Sequence, residues 1–184
     1  MKNRKQKIPK KITKAGVKKN VAKLRRKALK LWTDIVQILG GHQCAICGTK
    51  HGTLNKNGRP LWINAHHIED KCNYSTRWDP KNGICLCPNC HKFCNPDSAH
   101  RSPVWFLNWL SKNRPGIIEY LLVARKTHPL TALGWSGDEM VKVVADLEAQ
   151  LAILTPTPAA IASPPDPVAS PEPPSASEVQ EKPL

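Results

Sequence analysis

The tightest constraint on this chain is a pair of Cys-x-x-Cys motifs, Cys44/Cys47 and Cys87/Cys90, that frames a double histidine, His66-His67. One such turn lets two thiolates bind the same ion, and two turns complete a tetrahedral site of four thiolates, the usual form of structural Zn2+. With 39 residues between Cys47 and Cys87, the spacing exceeds a simple ribbon and implies an insertion between the two knuckles. The histidines fall outside the thiolate set and are free to hold a second metal with open positions. A chain that needed only a zinc staple would have little use for them.

The redox reading follows from the remaining thiols. Seven cysteines is an odd number, and four of them sit in metal-type pairs, which favours a reducing compartment over disulfides. Cys72, Cys85 and Cys94 are then spare thiols used for packing, with Cys85 on a buried strand face. His42 and His51 flank the first knuckle and read as surface residues near phosphate.

Charge narrows the partner. Lys and Arg number 28 against 14 Asp and Glu, and half of the basic residues fall before position 31, ahead of the first acid, Asp34. A field this one-sided attracts a polyanion, usually nucleic acid. The longest apolar run, Gly116 to Ala124, is interrupted by Glu119 and is too short to span a bilayer. No membrane association is expected, and the chain reads as soluble and cytoplasmic.

The chain divides into five segments. Residues 1–16 form a basic, disordered arm. Residues 17–41 read as an amphipathic helix: Val17, Val21, Leu24, Ala28, Leu31 and Ile35 share one face, and Gly40-Gly41 ends it. Lys19, Lys23, Arg26 and Lys30 form a neighbouring stripe suited to a phosphate backbone, with no acid to balance it. Residues 42–100 carry the metal chemistry. Residues 101–154 are helical: Ser102-Pro103 starts one helix, Arg114-Pro115 breaks it, a second runs to about Arg125, and Ser136 to Glu139 forms a capping box for the last. The tryptophans of this extension are expected in the core. Val144, Leu147, Leu151 and Leu154 make a seam that packs within the chain or against a second copy, leaving monomer and dimer both open. Residues 155–184 hold nine of the 17 prolines and read as a disordered tail.

Within 42–100, Leu61 to Ile68 has the composition of a strand. Neighbouring strand residues face opposite sides, so His66 and His67 have different roles. Asp79 to Gly83 reads as a turn, Ile84 to Leu86 as a second strand, and Cys87-Pro88 as the start of a helix on which His91 and Asn95 share a face.

This order, a strand with His-His, a turn with Asn82-Gly83, then Leu86-Cys87-x-x-Cys90-His91, resembles the HNH endonucleases among the ββα-metal nucleases, in their zinc-stabilised branch. The resemblance covers Cys44 to about Asn95. It implies an α+β fold, a small ββα-metal core with a four-cysteine zinc site, flanked by helices. It implies His66 as a metal ligand, His67 as the general base, Asn82 as a brace for the loop that holds the base, and His91 as a second ligand. Asn95 matches the third ligand position; Pro96 disfavours helix there, so Asp97 and His100 are alternates. The implied cofactors are structural Zn2+ and a catalytic divalent ion, Mg2+ or Mn2+, with Zn2+ and Ni2+ as further options. The implied reaction is hydrolysis of DNA to 5′-phosphate and 3′-hydroxyl ends, in a bacterial host cell if the chain is phage-encoded. Arg77 is a candidate phosphate clamp. Two other readings are a non-catalytic zinc module that binds DNA, as a regulator or packaging accessory, and a protein that binds or cleaves RNA. The histidine and asparagine set separates the first of these from a nuclease.

Overall fold

The computed structural model describes residues 14–94, 96–126 and 135–156, and the side chains of residues 14–19 fall outside that description. A long helix, α1 (Lys14–Leu39), leads into a zinc-knuckle loop and a strand, β1 (Asn64–His67). A single 3-10 turn, Pro80–Asn82, joins a loop to β2 (Gly83–Leu86), and a π-helical turn follows at Asn89–Phe93. Three helices complete the described chain: α2 (Pro103–Asn113), α3 (Ile117–Ala124) and α4 (Gly137–Leu154). The architecture is mixed α and β around one two-stranded sheet, as the sequence implies.

Helix α1 packs against the sheet, the 3-10 turn and α4. Ala28, Trp32, Ile35 and Val36 are all buried, and their 4-3-1 spacing puts them on one face. That face packs on both strands and on the turn between them, while α4 packs along the same helix. The α4 seam therefore closes within the chain: Met140, Val144 and Leu147 are buried, and Leu151 and Leu154 pack against the core. The Ser136–Glu139 capping box forms in both directions, as its sequence requires. At the other end of α1, Gly41 takes a left-handed φ of 59° and the His42 amide reaches back to the Gln37 carbonyl, which closes the helix.

Several sequence expectations need correction. Helix α1 begins at Lys14, inside the segment read as a disordered arm. The strand is shorter than Leu61–Ile68, since only Asn64–His67 pairs with β2. Ser102 precedes α2 but makes no capping bond; its hydroxyl donates instead to the Pro96 carbonyl at 2.5 Å. The basic stripe has an acid after all, because Lys30 Nζ meets Asp34 Oδ2 at 2.6 Å, one turn on. Of the three spare thiols only Cys85 is buried, whereas Cys72 and Cys94 are exposed. Arm residues 1–13 and tail residues 157–184 lie outside the described residues.

The sheet is antiparallel, pairing Asn64 with Leu86 and His67 with Gly83. Gly83 is required by its close neighbour and not by its dihedral: a Cβ there would stand 2.2 Å from Val36 Cγ2. This close approach seats α1 directly on the turn that carries Asn82. Helix α2 covers the other side of the sheet, where Phe106 is buried with its ring centroid 5.6 Å from that of His66.

Candidate metal centre and general base

The four cysteines come together. Cys44, Cys47, Cys87 and Cys90 place their sulfurs within 4.8 Å of one another. A tetrahedral ion with bonds of about 2.3 Å separates its thiolates by about 3.8 Å, and Cys47 Sγ and Cys87 Sγ stand 3.6 Å apart. The cluster is compatible with structural zinc. Burial first, and the Cys44 thiol second, push the Cys90 thiol far above its ordinary value. Burial also opposes ionisation of Cys47, but the Thr49 hydrogen bonds outweigh it and hold that thiol down at about 7. A bound cation would relieve the repulsion among four such groups.

The two strand histidines part as alternation requires. His66 turns toward His91 and His100, and one ring nitrogen from each lies within 4.8 Å of the others. His91 Nε2 and His100 Nε2 are 3.0 Å apart. Two nitrogens at about 2.0–2.1 Å from one ion would be roughly 3.0–3.4 Å apart, so His91 and His100 are spaced to share a metal, with His66 beside them. Burial, then the neighbouring histidines, pull His66 down to about 3; burial and His100 pull His91 down to about 4. Both are therefore neutral near pH 7, as ligands must be.

His100 reaches this group because the chain folds back after the second knuckle. The Ala99 amide bonds the Cys90 carbonyl at 2.9 Å, and the His100 amide bonds the His91 carbonyl at 3.2 Å. The helix expected to put His91 and Asn95 on one face is a single π turn that ends at Phe93, and Cys94 is already extended. Asn95 itself lies outside the described residues. Asp97 is exposed and does not join the histidine cluster.

His67 faces α1. Its ring stacks on Trp32 with centroids 3.8 Å apart and planes 7° from parallel. Its Nε2 lies 2.9 Å from the Arg77 carbonyl. A carbonyl only accepts, so Nε2 carries the proton and Nδ1 keeps its lone pair. Burial lowers the pKa of His67, and the Arg77 carbonyl bond works the other way. Trp32 is fixed in turn by its indole N–H, which donates to the Asp79 carbonyl at 2.9 Å.

Asn82 is fully buried and holds the loop that carries this carbonyl. Its Oδ1 accepts from the Glu69 amide at 2.6 Å, and its Nδ2 donates to the Glu69 and Thr76 carbonyls, each at 3.0 Å. Its own carbonyl accepts from the Ile68 amide at 2.9 Å. The loop from Glu69 to Thr76 is thus stapled at both ends to the residue that precedes β2.

A cleft of about 390 Å3 opens beside His67, lined among others by Thr33, Gln37, Asn64, Lys71 and Arg77. Arg77 sits over the Trp78 ring at 4.9 Å and donates to the Lys71 carbonyl at 3.3 Å, so two cations border the base. Lys23, Arg26 and Lys30 are exposed on α1. At 100° per residue they project within a quarter turn of Thr33 and Gln37, so the basic stripe runs on from the cleft wall. The side chain of Lys19 is outside the described residues. Sequence alone singles out neither Trp32 nor Lys71. The signal for Trp32 is its place one turn after Ala28, on the apolar face. Lys71 carries no signal of its own.

Residues 44–93 match the family model of the HNH endonuclease, which supports a nuclease-type function and a nucleic acid substrate. No curated protein and no solved structure matches the chain.

Proposed function

We propose that this chain, whose residues 44–93 carry an HNH endonuclease domain, is a metal-dependent endonuclease that hydrolyses DNA and leaves 5′-phosphate and 3′-hydroxyl ends. The observation that carries the reading is the separation of the two histidines at β1. His66 joins two other imidazoles in a metal-type cluster, while His67 is held apart with one nitrogen bonded and one free.

In this reading His67 Nδ1 takes a proton from water, and its Nε2–H keeps the ring in the required tautomer. Trp32 and the Arg77 carbonyl fix the ring, so little reorientation is needed before attack. Lys71 and Arg77 hold the phosphate beside the base. A divalent ion held by His66, His91 and His100 would supply Lewis-acid stabilisation of charge on the phosphate and the leaving oxygen. His100 is the third ligand we propose, in place of Asn95. Lys23, Arg26 and Lys30 extend the phosphate track along α1, and the four cysteines close around structural Zn2+. Residues 42–100 act as the nuclease core, with the arm and tail as appendages.

The test compares the full chain with His67→Ala, by cleavage and by gel shift of the same DNA. Loss of cleavage by at least about a hundredfold with binding nearly intact is the expected result. Cleavage at the parent rate would remove His67 from the mechanism. A chain that shifts DNA but cuts none, with any divalent metal, would favour a binding module.

A further inference from the structure

Between the first knuckle and β1 the chain builds a finger that this chemistry does not use. Its two sides are laddered: the Gly52 amide bonds the Leu61 carbonyl, the Leu61 amide bonds the Thr53 carbonyl, and the Asn55 amide bonds the Arg59 carbonyl, each at 2.8 Å. The tip is tied by Asn55 Oδ1, which accepts from the Asn57 and Arg59 amides at 2.9 and 3.0 Å. The finger is thus hydrogen-bonded along its length.

What it displays is unusual for a solvated loop. Trp62, at its base, is 62% exposed. His51 meets the indole edge-to-face at 4.9 Å, and His42 meets His51 in the same manner at 6.2 Å. An edge-to-face neighbour covers at most one face of the indole, so the ring is held while a face remains free. Lys50, Lys56 and Arg59 are all exposed on the finger. No acidic residue occurs between Asp34 and Glu69, so nothing on this stretch offsets them.

Position completes the case. Ile63 and Asn64, the next residues in the chain, line the cleft beside His67. Trp62 and His67 are five positions apart, a span of at most ~16 Å in extended chain, or roughly five base-pair rises of DNA. The finger therefore lies within reach of a strand bound at His67.

We infer that the finger is a second DNA-contacting site, in which Trp62 stacks on an unpaired base while Lys50, Lys56 and Arg59 hold the flanking phosphates. Every base offers a π face, so the stack is indifferent to sequence but requires a base that is not already stacked in a duplex. The inference rests on the nuclease reading and adds to it a preference for DNA containing unpaired nucleotides.

The experiment measures binding by fluorescence anisotropy in a His67→Ala background, so that no substrate is cut. The probes are a single strand, a fully paired duplex, and the same duplex with a short unpaired bulge. Trp62→Ala is expected to weaken single-strand and bulge binding by about tenfold, to leave duplex binding within about twofold, and to be rescued by Trp62→Phe. A Lys56→Ala/Arg59→Ala variant, which leaves the aromatic ring in place, should lower the salt dependence on all three probes. Parent-like binding of the single strand and bulge by Trp62→Ala, or an unaltered salt slope in the basic variant, would overturn the assignment. Failure of the His67→Ala parent to bind any of the probes would overturn the DNA reading itself, and the two failures are distinct. Should Trp62→Ala not fold, Trp62→Leu keeps the bulk without the ring and must show the same selective loss.

Discussion

At the scale of single residues, His67 is held by three neighbours of different kinds: an aromatic face, a backbone acceptor and, through the loop, a buried amide. Asn82→Ala would strip the Glu69 amide and the Glu69 and Thr76 carbonyls of their partner. Leaving buried groups unpaired costs roughly 1–3 kcal/mol, so the melting temperature should fall and cleavage should drop by more than about tenfold. A parent-like melting curve with parent-like cleavage would show that the loop holds itself. Trp32→Ala should cost about 3–5 kcal/mol as a buried aromatic truncation. Trp32→Phe retains a ring beneath His67 while losing the bond to Asp79, and should recover most of the turnover. No rescue by phenylalanine would reduce the stack to ordinary packing. The opposite placement of His66 and His67 and the turn at Asn82 are legible because alternation on a strand and the Asn-Gly turn follow from residue type alone. Trp32 is not, since an indole on an apolar helix face has the same pattern whether it fills a core or supports a catalytic ring.

At the scale of elements, α1 carries both an apolar face and a basic stripe, as the sequence reading of residues 17–41 expects. Its buried face builds the core, and its exposed face carries the basic stripe. Truncating the chain through residue 30 would remove Val21, Leu24 and Ala28 from the core along with the cations. Charge removal is the cleaner probe. Lys23→Ala/Arg26→Ala should leave the melt unchanged and reduce the salt slope of duplex binding by about 0.9 for each phosphate that is no longer neutralised. An unaltered slope would make the stripe a solvated face. The second knuckle marks the limit of local reading. Cys87-Pro88 reads as the start of a helix that carries His91 and Asn95 on one face, although Pro96 disfavours helix at Asn95. The chain instead makes one π turn and doubles back, bonding Ala99 and His100 to the knuckle. Ser98 and Ala99 are buried in that return, and Pro96 is its one local signal. Cys87→Ser should abolish the cooperative melt of the central unit, because a four-thiolate site that loses a ligand loses folding free energy. A normal circular-dichroism melt with unaltered zinc content would argue against the cluster as a metal site.

At the scale of the whole molecule, two metal-type clusters and one long helix hold a very small sheet. The paired knuckles already point to this dependence, since short strands offer little core of their own. Acid should expose it. His66 and His91 have folded values near 3 and 4, below their ordinary 6.5, so the unfolded chain binds more protons between these limits. The stability they contribute is complete above about pH 6.5 and is lost as pH falls toward 4; metal release by protonated ligands acts in the same direction. The melting temperature should therefore be lower at about pH 5 than at about pH 7.5, and a flat profile would contradict the burial of these rings.

The proposed nuclease combines His67, on the α1 side of β1, with a divalent ion at the His66, His91 and His100 cluster. The most direct test is nicking of a supercoiled plasmid by the purified full chain, with added Mg2+ or Mn2+ and with EDTA. The account predicts relaxed or linear DNA only when metal is added, and none from His100→Ala. Cleavage that persists in EDTA, or that is unaffected by His100→Ala, would contradict it.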